Sequence, residues 1–176
     1  MYTMKKLLFI IFLLVFQVNF GQEDATRGYK VKVGEQVPNL NFTLLDGTKH
    51  TNKTLKGKVV VLQFTASWCS VCRKEMPHLE KQVWQKFKNE DFILIGVDLK
   101  EDLKKVKRFI AQMEVTYPFT IDADGAMFES FTLPNAGVTR NIVLDKNGKI
   151  IFLSRLYEEK EFNNMIEVIA NELKKG

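Results

Sequence analysis

The only two cysteines in this 176-residue chain are Cys69 and Cys72. They are spaced C-x-x-C, between a strand-like run ending at Phe64 and a run of helical spacing that follows them. A pair so placed sits at a helix N-terminus, where unpaired backbone N–H groups and the helix dipole favour a thiolate. The thiolate is the form that attacks disulfides, so the position of the pair points to redox chemistry. As a staple the pair is weak: closing a four-residue loop contributes roughly 2 kcal/mol of chain entropy, against about 4.7 for a 100-residue loop. An inert local disulfide is the plainer alternative.

Lys5 and Lys6 precede an apolar run over 7–16 and a more polar stretch through Gly21-Gln22, the pattern of a secretory signal. The run is shorter than the roughly 20 residues that span a bilayer. Cleavage is expected after Gly21, which makes 1–21 a signal peptide; an uncleaved segment anchoring the chain in the membrane is the alternative. No cysteine near the signal offers a site for lipid. Export implies a periplasmic, oxidising setting in which disulfides persist. Losing Lys5 and Lys6 lowers the formal charge from +5 to +3. The remaining lysines are spread along helices without interleaved aromatics, which gives no support to nucleic-acid binding. Residues 22–33 are polar and without period and read as a flexible leader. Residues 34–176 suffice for one domain with its own core.

Within that domain, Leu40-Asn41-Phe42-Thr43-Leu44 alternates and Asp46-Gly47 follows as a hairpin turn. Val59-Val60-Val61-Leu62 is a β-branched run of the kind buried on both faces of a sheet. Leu79, Val83 and Phe87 recur at helical spacing, with Pro77 expected to kink that helix. Phe92-Ile93-Leu94-Ile95-Gly96-Val97 reads as a second buried strand. Leu103, Val106, Phe109, Ile110 and Met113 mark a second amphipathic helix. A short strand over 117–121 and a turn at Asp124-Gly125 come next. Strands over 141–144 and 150–153 flank Asp145-Lys146-Asn147-Gly148, a hairpin signal. Phe162, Met165, Ile166, Ile169 and Leu173 complete a C-terminal helix. Strands alternating with helices and ending in a hairpin predict an α/β fold: a mixed central β-sheet flanked by helices on both faces, with an N-terminal β-hairpin extension.

Four stretches resemble one family. Gly34-Glu35-Gln36-Val37-Pro38-Asn39, Gly57-Lys58-Val59-Val60-Val61-Leu62-Gln63-Phe64, Trp68-Cys69-Ser70-Val71-Cys72-Arg73-Lys74-Glu75-Met76-Pro77 and Leu144-Asp145-Lys146-Asn147-Gly148 are similar to segments of the TlpA/ResA-like thiol–disulfide oxidoreductases of the thioredoxin superfamily. The resemblance implies a thioredoxin-like fold; no cofactor and no bound metal are expected. It implies that Cys69 attacks and Cys72 resolves, which agrees with Cys69 lying closer to the helix end. It places Trp68 beside the active site, where plain core packing is the other reading. It gives Glu75 a part in proton handling at the dithiol, against the alternative of a solvated glutamate in a lysine-rich helix. Gln63 stands where thioredoxin has a buried acid; an amide cannot take a proton, which shifts weight to Glu75.

One departure stands out. The alignment puts Thr139, in Gly137-Val138-Thr139-Arg140-Asn141, where the family has a cis-proline facing the cysteines. A cis bond before a non-proline residue costs about 2.5–4 kcal/mol, so a trans Val138–Thr139 peptide is expected. Val138, Thr139 and Arg140 remain candidate substrate-binding residues. Arg140 is also a candidate cation for lowering the Cys69 pKa; a surface arginine at a strand start is the alternative.

The leading expectation is an exported protein-disulfide oxidoreductase, acting as a reductase on disulfide-containing exported proteins, fed by a membrane-bound electron donor and working as a monomer. A peroxiredoxin-like peroxidase is a second reading, motivated by Arg140 and the missing proline. It is weakened because Ala66 stands where a threonine is expected and Thr65 is one step off. A non-catalytic binding or metal–thiolate module is a third; two thiolates are half a tetrahedral zinc site, and neither His50 nor His78 has zinc-site spacing to them.

Overall fold

The computed structural model describes residues 26–175. The signal-peptide expectation for 1–21 lies outside them. Among the described residues no helix is long and apolar enough to cross a membrane.

The chain runs through β1 (Asn41–Thr43), β2 (Lys49–Thr51), α1 (Asn52–Leu55), β3 (Val59–Thr65), α2 (Ser70–His78), β4 (Phe92–Leu99), α3 (Leu103–Met113), β5 (Phe119–Asp122), α4 (Ala126–Phe131), β6 (Arg140–Leu144), β7 (Ile150–Arg155) and α5 (Glu159–Leu173). β1 and β2 form the expected antiparallel hairpin around Asp46-Gly47. The other five strands form one sheet in the order β5-β4-β3-β6-β7. β3 pairs parallel with β4 and antiparallel with β6, so the sheet is mixed. All seven residues of central β3 are buried, as its β-branched run predicts.

Alternation along the strands separates two apolar layers. Val60, Leu62, Phe64, Ile95, Val97, Ile142 and Leu144 pack with Leu55 of α1, Phe128 and Phe131 of α4, and Phe42 and Leu44 of the hairpin region. Val59, Val61, Leu94 and Val143 pack with Met76 of α2, Val106 and Phe109 of α3, and Phe162, Met165 and Ile169 of α5. Both faces are therefore covered by helix, and the architecture is thioredoxin-like. Gly96 of β4 is required by close approach: a Cβ there would meet the Phe119 ring at 2.5 Å.

Several local expectations are refined. The helix holding Pro77 does not stop there. It passes into π-helical turns over Leu79–Trp84 and a last α-turn at Gln85–Phe87. Proline lacks the N–H that an α-turn would use, and the wider turn starts just beyond it. Leu103 is exposed rather than buried, because it opens α3 ahead of the turns that meet the sheet. The Asp124-Gly125 turn leads into an unforeseen helix, α4. Its first N–H, on Ala126, donates to Asp124 at 3.0 Å, and those of Met127 and Phe128 donate to the Asp122 carboxylate at 3.1 and 2.7 Å, a cap supplied from the end of β5. The flexible-leader expectation for 22–33 is corrected over its second half. Tyr29 is buried in the core and donates its hydroxyl to the Ser154 carbonyl at 2.6 Å. Arg27 pairs with Glu161 of α5. An aromatic ring with a satisfied hydroxyl outweighs the polarity of its neighbours.

Candidate active site at the head of α2

β3 and β4 run parallel and end together, Thr65 opposite Asp98. The turn after β3 delivers the chain to the N-terminus of α2 above these carboxyl ends, where open α/β sheets place their sites. Glu101 pins the turn by accepting from both the backbone N–H and the hydroxyl of Ser67. Arg73 of α2 donates to the Ser67 carbonyl at 2.8 Å. The next residues are Trp68 and Cys69.

Cys69 is the N-cap of α2, in extended conformation, and its Sγ accepts from the Cys72 backbone N–H at 3.2 Å. The helix N-terminus thus offers the sulfur an orphan donor and the positive end of the dipole. Cys69 and Cys72 are joined as a disulfide. Cys69 retains 8% exposure and Cys72 none, and of the two only Cys69 lines a surface cleft, so the first cysteine is the one nearer solvent.

A cleft of about 280 Å³ opens at Cys69, lined by Trp68, Val71, Val138, Thr139, Arg155 and Leu156 among others. Trp68 is 67% exposed, which rules out core packing for it. Leu156 is also exposed, at a left-handed φ of 64° that a leucine rarely adopts. Its backbone N–H is held by the Thr139 carbonyl at 3.0 Å.

Glu75 is buried, not a solvated surface residue. It lies one helical turn beyond Cys72. Asn141 of β6 donates to its Oε1 at 2.6 Å, and Gln63 of β3 to its Oε2 at 3.3 Å. Tyr117 in turn donates to the Gln63 side-chain oxygen at 2.8 Å. Burial pushes the Glu75 carboxyl up to about 7, while the two amide donors pull it down. A group poised there exchanges protons at neutral pH.

Thr139 comes to the cysteines as the alignment implied, with a trans Val138–Thr139 peptide. Its side chain rather than its backbone meets them: Oγ1 is 3.1 Å from Cys69 Sγ and 3.3 Å from Cys72 Sγ. Arg140 is buried, not a surface residue. Its guanidinium donates to the carbonyls of Gly137 and Arg27 at 2.9 and 2.8 Å and lies 4.4 Å over the Tyr29 ring. These contacts spend it on bracing the 137–140 turn and on fastening the chain's early segment. His50 contacts Phe42, and His78 stacks on Tyr157; neither contact involves a cysteine. Among the described residues no group of three or more His, Cys, Asp or Glu is arranged to hold a metal.

Sequence reading missed two residues near this site. Asn141 is the stronger amide donor to Glu75. Asp98 is buried at the end of β4, and neither of its carboxyl oxygens finds a hydrogen-bond partner among the described residues. Asp98 interrupts an otherwise apolar strand, and that was its one visible signal.

The fold and the C-x-x-C pair at a helix N-terminus define a thiol–disulfide oxidoreductase of the thioredoxin superfamily. The chain belongs to the Redoxin family, whose model matches residues 32–169. It is 33% identical over 138 residues to the thiol-disulfide oxidoreductase ResA of Bacillus cereus, an alignment covering 78% of this chain and 75% of that one. Among solved structures, a Bacteroides thetaiotaomicron protein proposed to be a protein disulfide isomerase superposes with a TM-score of 0.81 at 50% identity, covering 85% of this chain and 94% of that one. A thiol:disulfide interchange protein from Bacteroides sp. superposes with a TM-score of 0.67 at 26% identity, covering 83% and 95%.

Proposed function

We propose that the chain is an exported reductase of protein disulfides. In this reading the reduced Cys69 thiolate attacks a disulfide in another exported protein. An intermolecular S–S bond forms and one substrate sulfur leaves as thiolate. Cys72, on losing its proton, then attacks Cys69 Sγ, closes the intramolecular disulfide and releases the second substrate sulfur. Glu75, with its carboxyl near 7, is the base that takes the Cys72 proton. Trp68 and Val138 border the cleft that receives the substrate segment. The backbone N–H and C=O of Val138 make no hydrogen bond to another described residue, which leaves them for pairing with an extended peptide.

Reduction of the disulfide for the next cycle requires an electron donor, for which a membrane-bound thiol protein is the fitting class. The chain acts as a monomer, in the periplasm after signal cleavage or tethered by its N-terminal segment. The name ResA carried by the Bacillus cereus relative supports the dithiol chemistry and leaves its direction to experiment.

The observation that carries the reading is Cys69 at the N-cap of α2, lining the surface cleft, with Cys72 fully buried behind it. The test is a Cys72→Ser variant, which can form the intermolecular disulfide but cannot resolve it. Mixed disulfides through Cys69 are expected to accumulate with exported proteins, and a Cys69→Ser control is expected to trap none. An absence of trapped protein from cells in which the wild-type pair cycles would overturn the assignment.

A further inference from the structure

Thr139 precedes β6 and is buried, with its hydroxyl within hydrogen-bonding distance of both sulfurs. The backbone around it is fixed: its carbonyl accepts from Leu156, and the Arg140 guanidinium spans to the Gly137 carbonyl. A disulfide sulfur is a weak acceptor and a thiolate a strong one. A hydroxyl has one proton to give and lone pairs to receive with. Poised between two sulfurs, it is matched to a pair of which one is ionised and the other protonated.

We propose that the Thr139 hydroxyl is a catalytic group of the reduced dithiol: it donates to the Cys69 thiolate while accepting from the Cys72 thiol. The proline implied by the family resemblance has no hydrogen to donate there. On reduction, a dithiol donor supplies two electrons, the Cys69–Cys72 bond breaks, one proton settles on Cys72 and the negative charge stays on Cys69. The Thr139 O–H bond stays intact throughout. Because this interaction strengthens only when the S–S bond is broken, it favours the reduced pair and fixes the ionised sulfur as the reachable one. Ionisable side chains around it include Arg155, which lines the same cleft, Arg140, held on the carbonyls of Gly137 and Arg27, and Glu75, one turn along α2.

The inference rests on the dithiol chemistry and not on the reductase direction. Thr139→Val removes the oxygen and keeps the branched shape, Thr139→Ser keeps the hydroxyl, and Thr139→Ala serves if the valine variant does not fold. Two readouts need no protein substrate: Cys69 alkylation against pH in the reduced chain, and equilibrium of the pair with glutathione buffers. For the valine variant, alkylation below the midpoint is expected to slow about tenfold, and the equilibrium to move about tenfold toward the disulfide. Serine is expected to restore most of both. Wild-type behaviour in the valine or alanine variant, or a serine variant as impaired as they are, overturns the proposal. A failed Cys72→Ser trap would overturn the reductase reading and leave this one intact.

Discussion

Glu75 and Asp98 are both buried on the face of the sheet covered by α2, α3 and α5, and both carboxyls are pushed up to about 7. Their surroundings differ. Glu75 has amide donors on each oxygen, from Asn141 and Gln63, so its ionised form is costly but supported. Neither oxygen of Asp98 has a hydrogen-bond partner among the described residues. Burial first, and then the negative charge of nearby Glu101, favour its protonated form. Glu101 itself is spent on Ser67. The same perturbed value therefore describes two kinds of group. One is a carboxyl supported by donors one helical turn along α2 from Cys72, and we propose that it takes that sulfur's proton. The other is a buried carboxyl at the end of β4 whose ionised form finds no donor among the described residues. A shifted pKa marks a catalytic group only where donors and a reacting atom accompany it.

The largest effect separating the two is expected from Glu75→Gln. It keeps the volume and removes the base, so resolution of the mixed disulfide by Cys72 should slow on the order of a hundredfold near pH 7, with loss of the pH-rate limb near 7. Alkylation of Cys69 should stay within about threefold of wild type. The same measurements on Asp98→Asn are expected to show little change; equal damage from both would erase the distinction.

Asp98 is expected to reveal itself in stability instead. Its folded pKa lies above its ordinary value, so the folded chain holds a proton that the unfolded chain has released. That contribution is fully present below the ordinary aspartate range, near 4, and is lost as the pH rises toward and through 7. Glu75 adds a decline of the same sign. Thermal melting from pH 4 to 8 should show stability falling in the wild type and falling less in Asp98→Asn. An unchanged slope would mean that Asp98 is charged and accommodated.

Much of this arrangement is legible from residue order. The β-branched run in β3, the Asp46-Gly47 and Asn147-Gly148 turns and the C-x-x-C junction identify the sheet, the hairpins and the site, because each is a local signal with a local cause. Glu75 was undecided between surface and site because its neighbours Lys74 and Pro77 suggest exposure. Yet it lies three residues after Cys72 and four before Leu79, within the stripe that Met76 and Val83 continue, and that spacing was the available clue. Tyr29, Asn141 and α4 were illegible for other reasons. The partners of the first two lie far away in sequence, Ser154 for Tyr29 and Glu75 for Asn141, whereas α4 is too short to show a helical period and its cap is local, from Asp122 just before it. The role of Arg140 as a brace depends likewise on the Arg27 carbonyl and the Tyr29 ring, which no local pattern announces.

The central claim is that α2 and its surroundings hold the reduced Cys69 sulfur as an anion within reach of solvent. The pH dependence of iodoacetamide reaction with the reduced wild-type chain, with each cysteine followed by mass, tests it most directly. Labelling is predicted at Cys69 first, with a midpoint clearly below the roughly 8.5 of a free cysteine, and at Cys72 only after unfolding. A midpoint at or above that value, or labelling of Cys72 ahead of Cys69, would contradict the account.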